Sequence, residues 1–193
     1  MAALQDVDFE ALKNVSKAVA EWVRGSNPPP AIFTIEEIKT SLDVFPIEFL
    51  DIIENRKILY GSDPFGGLEV HNDNLRHELE HEFKSKLLRL KELYMLEASS
   101  KRNLEKIIIK SFSSFTALFK GVLRLLGEKP PAKKIDVVEK ACERIGMDPA
   151  VFRVIHETKE GVKPSQKWDI QEIAGRYMAE IFKAGRFVDE IKN

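Results

Sequence analysis

Apolar positions recur at helical spacing along most of this chain. Phe9, Leu12, Val15, Val19, Trp22 and Val23 predict a helix over 8–24 with Asp8 as its N-cap. It must end at GSNPPP, residues 25–30, because proline lacks the amide donor that a helix interior needs. A short apolar piece at 31–33 reads as a strand. TIEE, residues 34–37, spells a capping box and opens a short helix to about Thr40. VFPIEFLDI (44–52) and ILYG (58–61), separated by the charged turn ENRK, are rich in β-branched and aromatic residues and read as two strands. SDPFGG, 62–67, reads as a loop.

From Asn72 the period changes to that of long helices. Leu75, Leu79, Phe83, Leu87, Leu90 and Tyr94 form one stripe, and SSKRN (99–103) breaks it. Leu104, Ile107, Ile108, Phe112, Phe115, Phe119, Val122 and Leu126 form a second stripe, closed by Gly127. A third helix over 135–145 closes at Gly146. Asp148 and Pro149 open a fourth, short helix carrying Phe152 and Ile155. The last helix, about 167–191, carries Ile170, Ile173, Ala174, Tyr177, Ile181 and Phe182. The expectation is a mainly α protein: a small α+β region, 1–68, followed by a five-helix antiparallel bundle, 69–193.

Composition narrows the class. The chain has 193 residues, 44% of them hydrophobic and 32% charged, with a formal net charge of -1. These values fit an ordinary globular protein. No global basic field argues for nucleic acid or an anionic membrane. The single cysteine, Cys142, lies in an apolar helical pattern and reads as a small core residue. A lone cysteine fits a reducing, cytoplasmic setting, and no apolar run reaches membrane-spanning length.

HELEH, residues 77–81, matches the H-E-x-x-H pattern of zinc peptidases. There, two histidines four apart bind zinc and the glutamate activates its water. The context argues against that chemistry here. Lys84 and Leu87 stand where the extended motif needs glycine and histidine, and Arg76, Glu80, Glu82 and Lys84 crowd the run. His77 and His81 also lie about 160° around the helix from Leu79, a core position. A solvated charged face is the reading adopted, with no metal site assigned. Arg76 and His81 also fit the R-x4-6-H spacing of HEPN-type ribonucleases, where arginine would steady phosphate charge and histidine move a proton. Five apart, they sit about 140° around one helix, so a shared site would need another helix or a second copy. His71, His156, Trp22 and Trp168 read as surface, core or anchoring residues.

The stretch NPPPAIFTIEEIKTSLDVFPIEFLDIIENRKILYGSDPF, residues 27–65, resembles the latter part of a nucleotidyltransferase-like domain of the DNA-polymerase-β superfamily. The following DNLRHELEHEFKSKLLRLKELYML resembles the first helix of the bundle that follows such domains in kanamycin-nucleotidyltransferase-type and HEPN-type proteins. The resemblance implies Mg²⁺-dependent transfer of a nucleoside monophosphate from a nucleoside triphosphate. A Gly-Ser turn would hold the phosphates, a D-x-[DE] pair would bind metal, and a third carboxylate would sit on a later strand. On VFPIEFLDI, Glu48 or Asp51 would be that third carboxylate. If this were a strand, they would face opposite sides. The Gly-Ser turn and acidic pair are not found in register, as though the chain begins midway through the domain. The resulting expectation is a nucleotide- or substrate-binding module without a complete catalytic site of its own, needing no cofactor as written, and forming a homodimer through an open sheet edge or an apolar helix face. A helical interaction protein, or a HEPN-like ribonuclease of a toxin–antitoxin pair using Arg76 and His81, is the alternative. Nucleic acid and membrane are not among the expected partners.

Overall fold

A computed structural model describes residues 1–191. Among them are eight helices and one pair of short strands, so the chain is mainly helical. It divides into two compact units, Met1–His71 and Asn72–Asn193.

In the first unit, β1 (Ala2–Leu4) pairs in parallel with β2 (Ile32–Thr34), Ala3 opposite Phe33. Helix α1 (Phe9–Arg24) connects them. Parallel neighbours cannot be joined by a tight turn, so a crossover helix is the usual solution. Asp8 accepts from the Ala11 amide at 2.7 Å and caps α1 as the sequence predicts. Helix α2 (Ile35–Thr40) opens with the full capping box: Thr34 accepts from the Glu37 amide at 2.9 Å, and Glu37 accepts from the Thr34 amide at 2.7 Å.

The two predicted strands at 44–52 and 58–61 do not form. Pro46 to Asn55 is helix α3. Proline at the first helical position loses no hydrogen bond and arrives with helical φ. Phe49, Ile52 and Ile53 fall three and four apart and turn together onto the small core of Ile38, Phe49 and Phe65. Phe49 meets Phe33 and Phe65 edge-on at 5.7 and 5.5 Å. The 3.6-residue period therefore overrides β-branched composition. Residues 58–61 are irregular, with Leu59 86% and Tyr60 98% exposed.

The second unit holds α4 (Asn72–Glu97), α5 (Lys101–Leu125), α6 (Lys134–Ile145), α7 (Ala150–Lys159) and α8 (Ile170–Glu190). Helix α5 touches each of the other four. A chain of rings joins α4, α5, α7 and α8: Phe83 against Phe119, Phe119 against Phe152, Phe152 against Tyr177, and Tyr177 against Phe115, all within 5.9 Å. Helix α5 ends in a two-bond cap, Gly127 to the Arg124 carbonyl and Glu128 to that of Leu123, both 2.8 Å, with Gly127 at φ 73. Helix α7 begins at Ala150, and Asp148 accepts from the Ala150 amide at 2.9 Å. Phe182, expected on the core stripe of α8, is 52% exposed, whereas Ala184 and Val188 are buried.

Candidate functional site

The histidines of HELEH lie on the first turns of α4. Leu79 is buried, and His77 and His81 are exposed on other sides of the helix, as the phase of the stripe requires. His81 Nε2 stands 3.5 Å from Ser85 Oγ, and its Nδ1 is 3.8 Å from Glu82. No group of three or more potential metal ligands occurs among the described residues.

Arg76 does not turn toward His81. Its Nη1 donates to Glu80 Oε2 at 3.2 Å, and its Nη2 lies 3.2 Å from His77 Nδ1. Glu80 also accepts from Lys84 at 2.5 Å, and Lys84 lies 3.5 Å from Asp189 on α8. The Lys84 ammonium, ahead of Arg76, holds the Glu80 carboxyl below its ordinary range, and Glu80 in turn raises Lys84. This ladder of one-turn pairs follows from spacing at i, i+4.

Glu48 and Asp51 are both exposed on α3. Because α3 is a helix, their three-residue separation puts them on one face rather than on opposite sides of a strand. The premise that they occupy a strand is corrected. The pair that organises this unit lies instead in the loop after α3. Arg56 Nε donates to both Asp63 oxygens at 3.0 Å, and Nη2 donates at 2.6 Å. Asp63 also accepts from the Phe65 amide at 3.0 Å, which turns Phe65 into the core. The guanidinium and that amide hold Asp63 below the usual carboxylate range. An i, i+7 pair across a loop leaves no periodic signal, so the sequence does not announce it.

The helical unit is closely packed. A shallow apolar dimple among Leu90, Tyr94, Leu104, Ile108, Ala174 and Tyr177 has no room for a water molecule. Tyr177 is fully buried; desolvation pushes its hydroxyl pKa well up, and Ser111 donates to it at 3.3 Å. Glu180, 8% exposed, accepts from the Asp148 amide at 3.2 Å and from Lys183 at 2.8 Å, tying α8 to the turn between α6 and α7. Arg176 lies 4.4 Å from the centre of the Trp168 ring, an arginine–aromatic pair that the sequence reading did not find. Ring-to-ring contact with Phe112 at 6.3 Å half-covers His156.

Helix α1 covers its apolar stripe only in part: Val15 and Val19 at the centre are half-buried, whereas Phe9, Leu12, Trp22 and Val23 around them are 79%, 41%, 52% and 41% exposed, and no residue of the helix is fully buried. Trp22 is held by its Nε1 donating to the Pro28 carbonyl at 2.8 Å. None of the described helices is long and apolar enough to cross a membrane. Comparison with protein-family models, curated proteins and solved structures gives no match.

Proposed function

We propose that the chain is an assembly module of nucleotidyltransferase-related layout. The N-terminal unit is a small α/β layer that docks on a second copy, and the helical unit is an antiparallel five-helix bundle that serves as scaffold. The observation that carries this reading is α1, an amphipathic helix of 16 residues with no residue buried.

The physical argument starts from the sheet. Strand–helix–strand steps with parallel pairing normally belong to larger sheets with covered faces. Two strands of three residues lie below the size that stands alone. Open strand edges invite further pairing. An exposed apolar face gains roughly 25 cal/mol for each Å² of apolar surface removed from water. In this reading, nucleotide or small-molecule binding arises in the assembled form. Mg²⁺ and a nucleoside triphosphate would enter with residues beyond Glu48 and Asp51.

Light scattering after size exclusion tests the assembly. The expected mass is about twice 22.0 kDa at high protein concentration. Phe9→Glu with Leu12→Glu should return the monomer while far-ultraviolet circular dichroism stays unchanged. A wild-type monomer at every concentration would sink the proposal. Thermal shift with ATP, GTP or CTP and Mg²⁺ tests the nucleotide part. A shift in wild type that is lost in the double variant supports it, and no shift in either removes it.

A further inference from the structure

The net charge of -1 conceals opposite charges on the two units. Residues 1–71 contain twelve Asp and Glu against six Lys and Arg, whereas residues 72–193 contain nineteen against twenty-four. Most of the excess is on one helix. Helix α5 carries Lys101, Arg102, Lys106, Lys110, Lys120 and Arg124 against a single acidic residue, Glu105.

Arg102, Lys106 and Lys110 follow each other at four-residue steps, so their side chains rise in one row about 6 Å apart. All three are exposed. They form no ion pair among the described residues, in contrast to Arg76, Lys84, Arg153 and Arg176, which each have a carboxylate partner.

The segment between α7 and α8 is tied at both ends beside the N-terminal half of α5. At its start, Lys159 Nζ donates to Ser113 Oγ on α5 at 3.0 Å. At its end, Gln171 Nε2 donates to the Ala98 carbonyl at 2.6 Å, just before α5 begins. Residues 160–170 must therefore run back along the N-terminal half of α5. They bring two more exposed cations, Lys163 and Lys167, to that flank. Glu160 and Asp169 accompany them, and Asp169 is committed to capping α8 through the Gln171 and Glu172 amides at 2.9 Å.

We infer that this flank of α5, with Arg102, Lys106 and Lys110 at its centre, binds the phosphate backbone of duplex nucleic acid without reading sequence. Its chemistry favours that partner over the others. A lipid surface needs an apolar face to insert beside the cations, and the apolar face of α5 is buried in the core. A protein interface gains its affinity from a desolvated apolar centre and is depleted in lysine. Here Ser113, Ser114 and Ala117 continue the row instead. A single strand would use stacking rings, and Phe112, Phe115 and Phe119 of α5 all face inward. On α5 itself these cations have no ring or apolar anchor beside them; in the adjoining segment Val162 is exposed, and the half-buried Trp168 is taken up by Arg176 at 4.4 Å, so counterion release supplies the main drive. The inference does not rest on the assembly proposal and concerns a different surface.

Fluorescence anisotropy with labelled RNA and DNA duplexes of about 20 base pairs tests it, over a salt series from about 50 to about 200 mM. Wild type should bind in the micromolar range, with affinity falling steeply as salt rises. The variant Arg102→Gln, Lys106→Gln, Lys110→Gln should bind at least about tenfold more weakly, with a logarithmic salt slope shallower by about 2.7. Lys133→Gln with Lys134→Gln, at the far end of α5, should bind as wild type does. Circular dichroism checks that each variant keeps its helices. The two duplexes distinguish an RNA from a DNA source of the phosphates. Absence of binding at the lowest salt, or an unchanged slope in the triple variant, overturns the inference. So does equal or tighter binding of poly-glutamate, of phosphatidylserine vesicles or of single strands, each of which would reassign the surface.

Discussion

Cys142 shows how one side chain reports on its surroundings. It is 2% exposed on α6, and burial pushes its thiol pKa up to about 12, with Glu180 and Asp148 adding to the rise and Arg153 opposing it. A thiol whose folded pKa lies above its unfolded value supports the fold at pH below the unfolded pKa. That support is lost as pH rises from about 9 towards 12. The expected outcome is twofold. A thiol reagent at neutral pH should leave native protein unlabelled and label it fully in denaturant. The stability of wild type should also decline relative to Cys142→Ala between those pH values, by up to about 1.4 kcal/mol per pH unit. Denaturant titrations at several pH values measure the difference. Rapid labelling of native protein would show that α6 does not hold the thiol inside.

At the scale of elements, what was legible depended on how many turns repeated the signal. Helices α4 and α5 declare themselves over 26 and 25 residues; the buried positions of α4 all lie on its predicted stripe, whereas α5 also buries Leu118, Leu123 and Leu125 outside its own and leaves Ile107 and Leu126 half-covered. The same phase put His77 and His81 outside the core. Over ten residues, α3 offers fewer than three turns, and its Phe, Ile and Leu content imitates a strand. Pro46 was the available clue, since proline suits a helix start and disfavours a strand interior. The Arg56–Asp63 closure was invisible because nothing periodic links a loop to the helix before it. That closure makes a prediction. It pins the ends of a segment whose middle exposes Leu59 and Tyr60 almost completely. Chymotrypsin should cut first after Tyr60, because irregular exposed backbone is the preferred site of nicking. Asp63→Ala, which frees the loop and the Phe65 amide, should speed the cut severalfold. Mass spectrometry of the early fragments decides the matter; first cleavage inside α4 or α5 would contradict it.

For the whole molecule, the decisive fact is that each unit has its own core. Ile38, Phe49 and Phe65 close the first. In the second, the ring chain through Phe83, Phe119, Phe152 and Tyr177 draws only on helices after residue 72. Averaging over the two units is also why composition misled about charge, since an acidic unit and a basic one sum to almost zero. Local periodicity locates cores, but only placement shows which cations share a flank. If the second core is self-sufficient, residues 72–193 expressed alone should fold as a helical unit with cooperative denaturant unfolding, because the apolar surface of a domain is buried by its own elements. Phe152→Ala within that fragment removes a ring packed edge-on against both Phe119 and Tyr177 and should cost about 3–5 kcal/mol. The same substitution in the full chain should cost about as much, since Phe152 has its partners within one unit. A fragment that shows helix but no cooperative transition, or a cost that appears only in the full chain, would mean that the second core depends on the first.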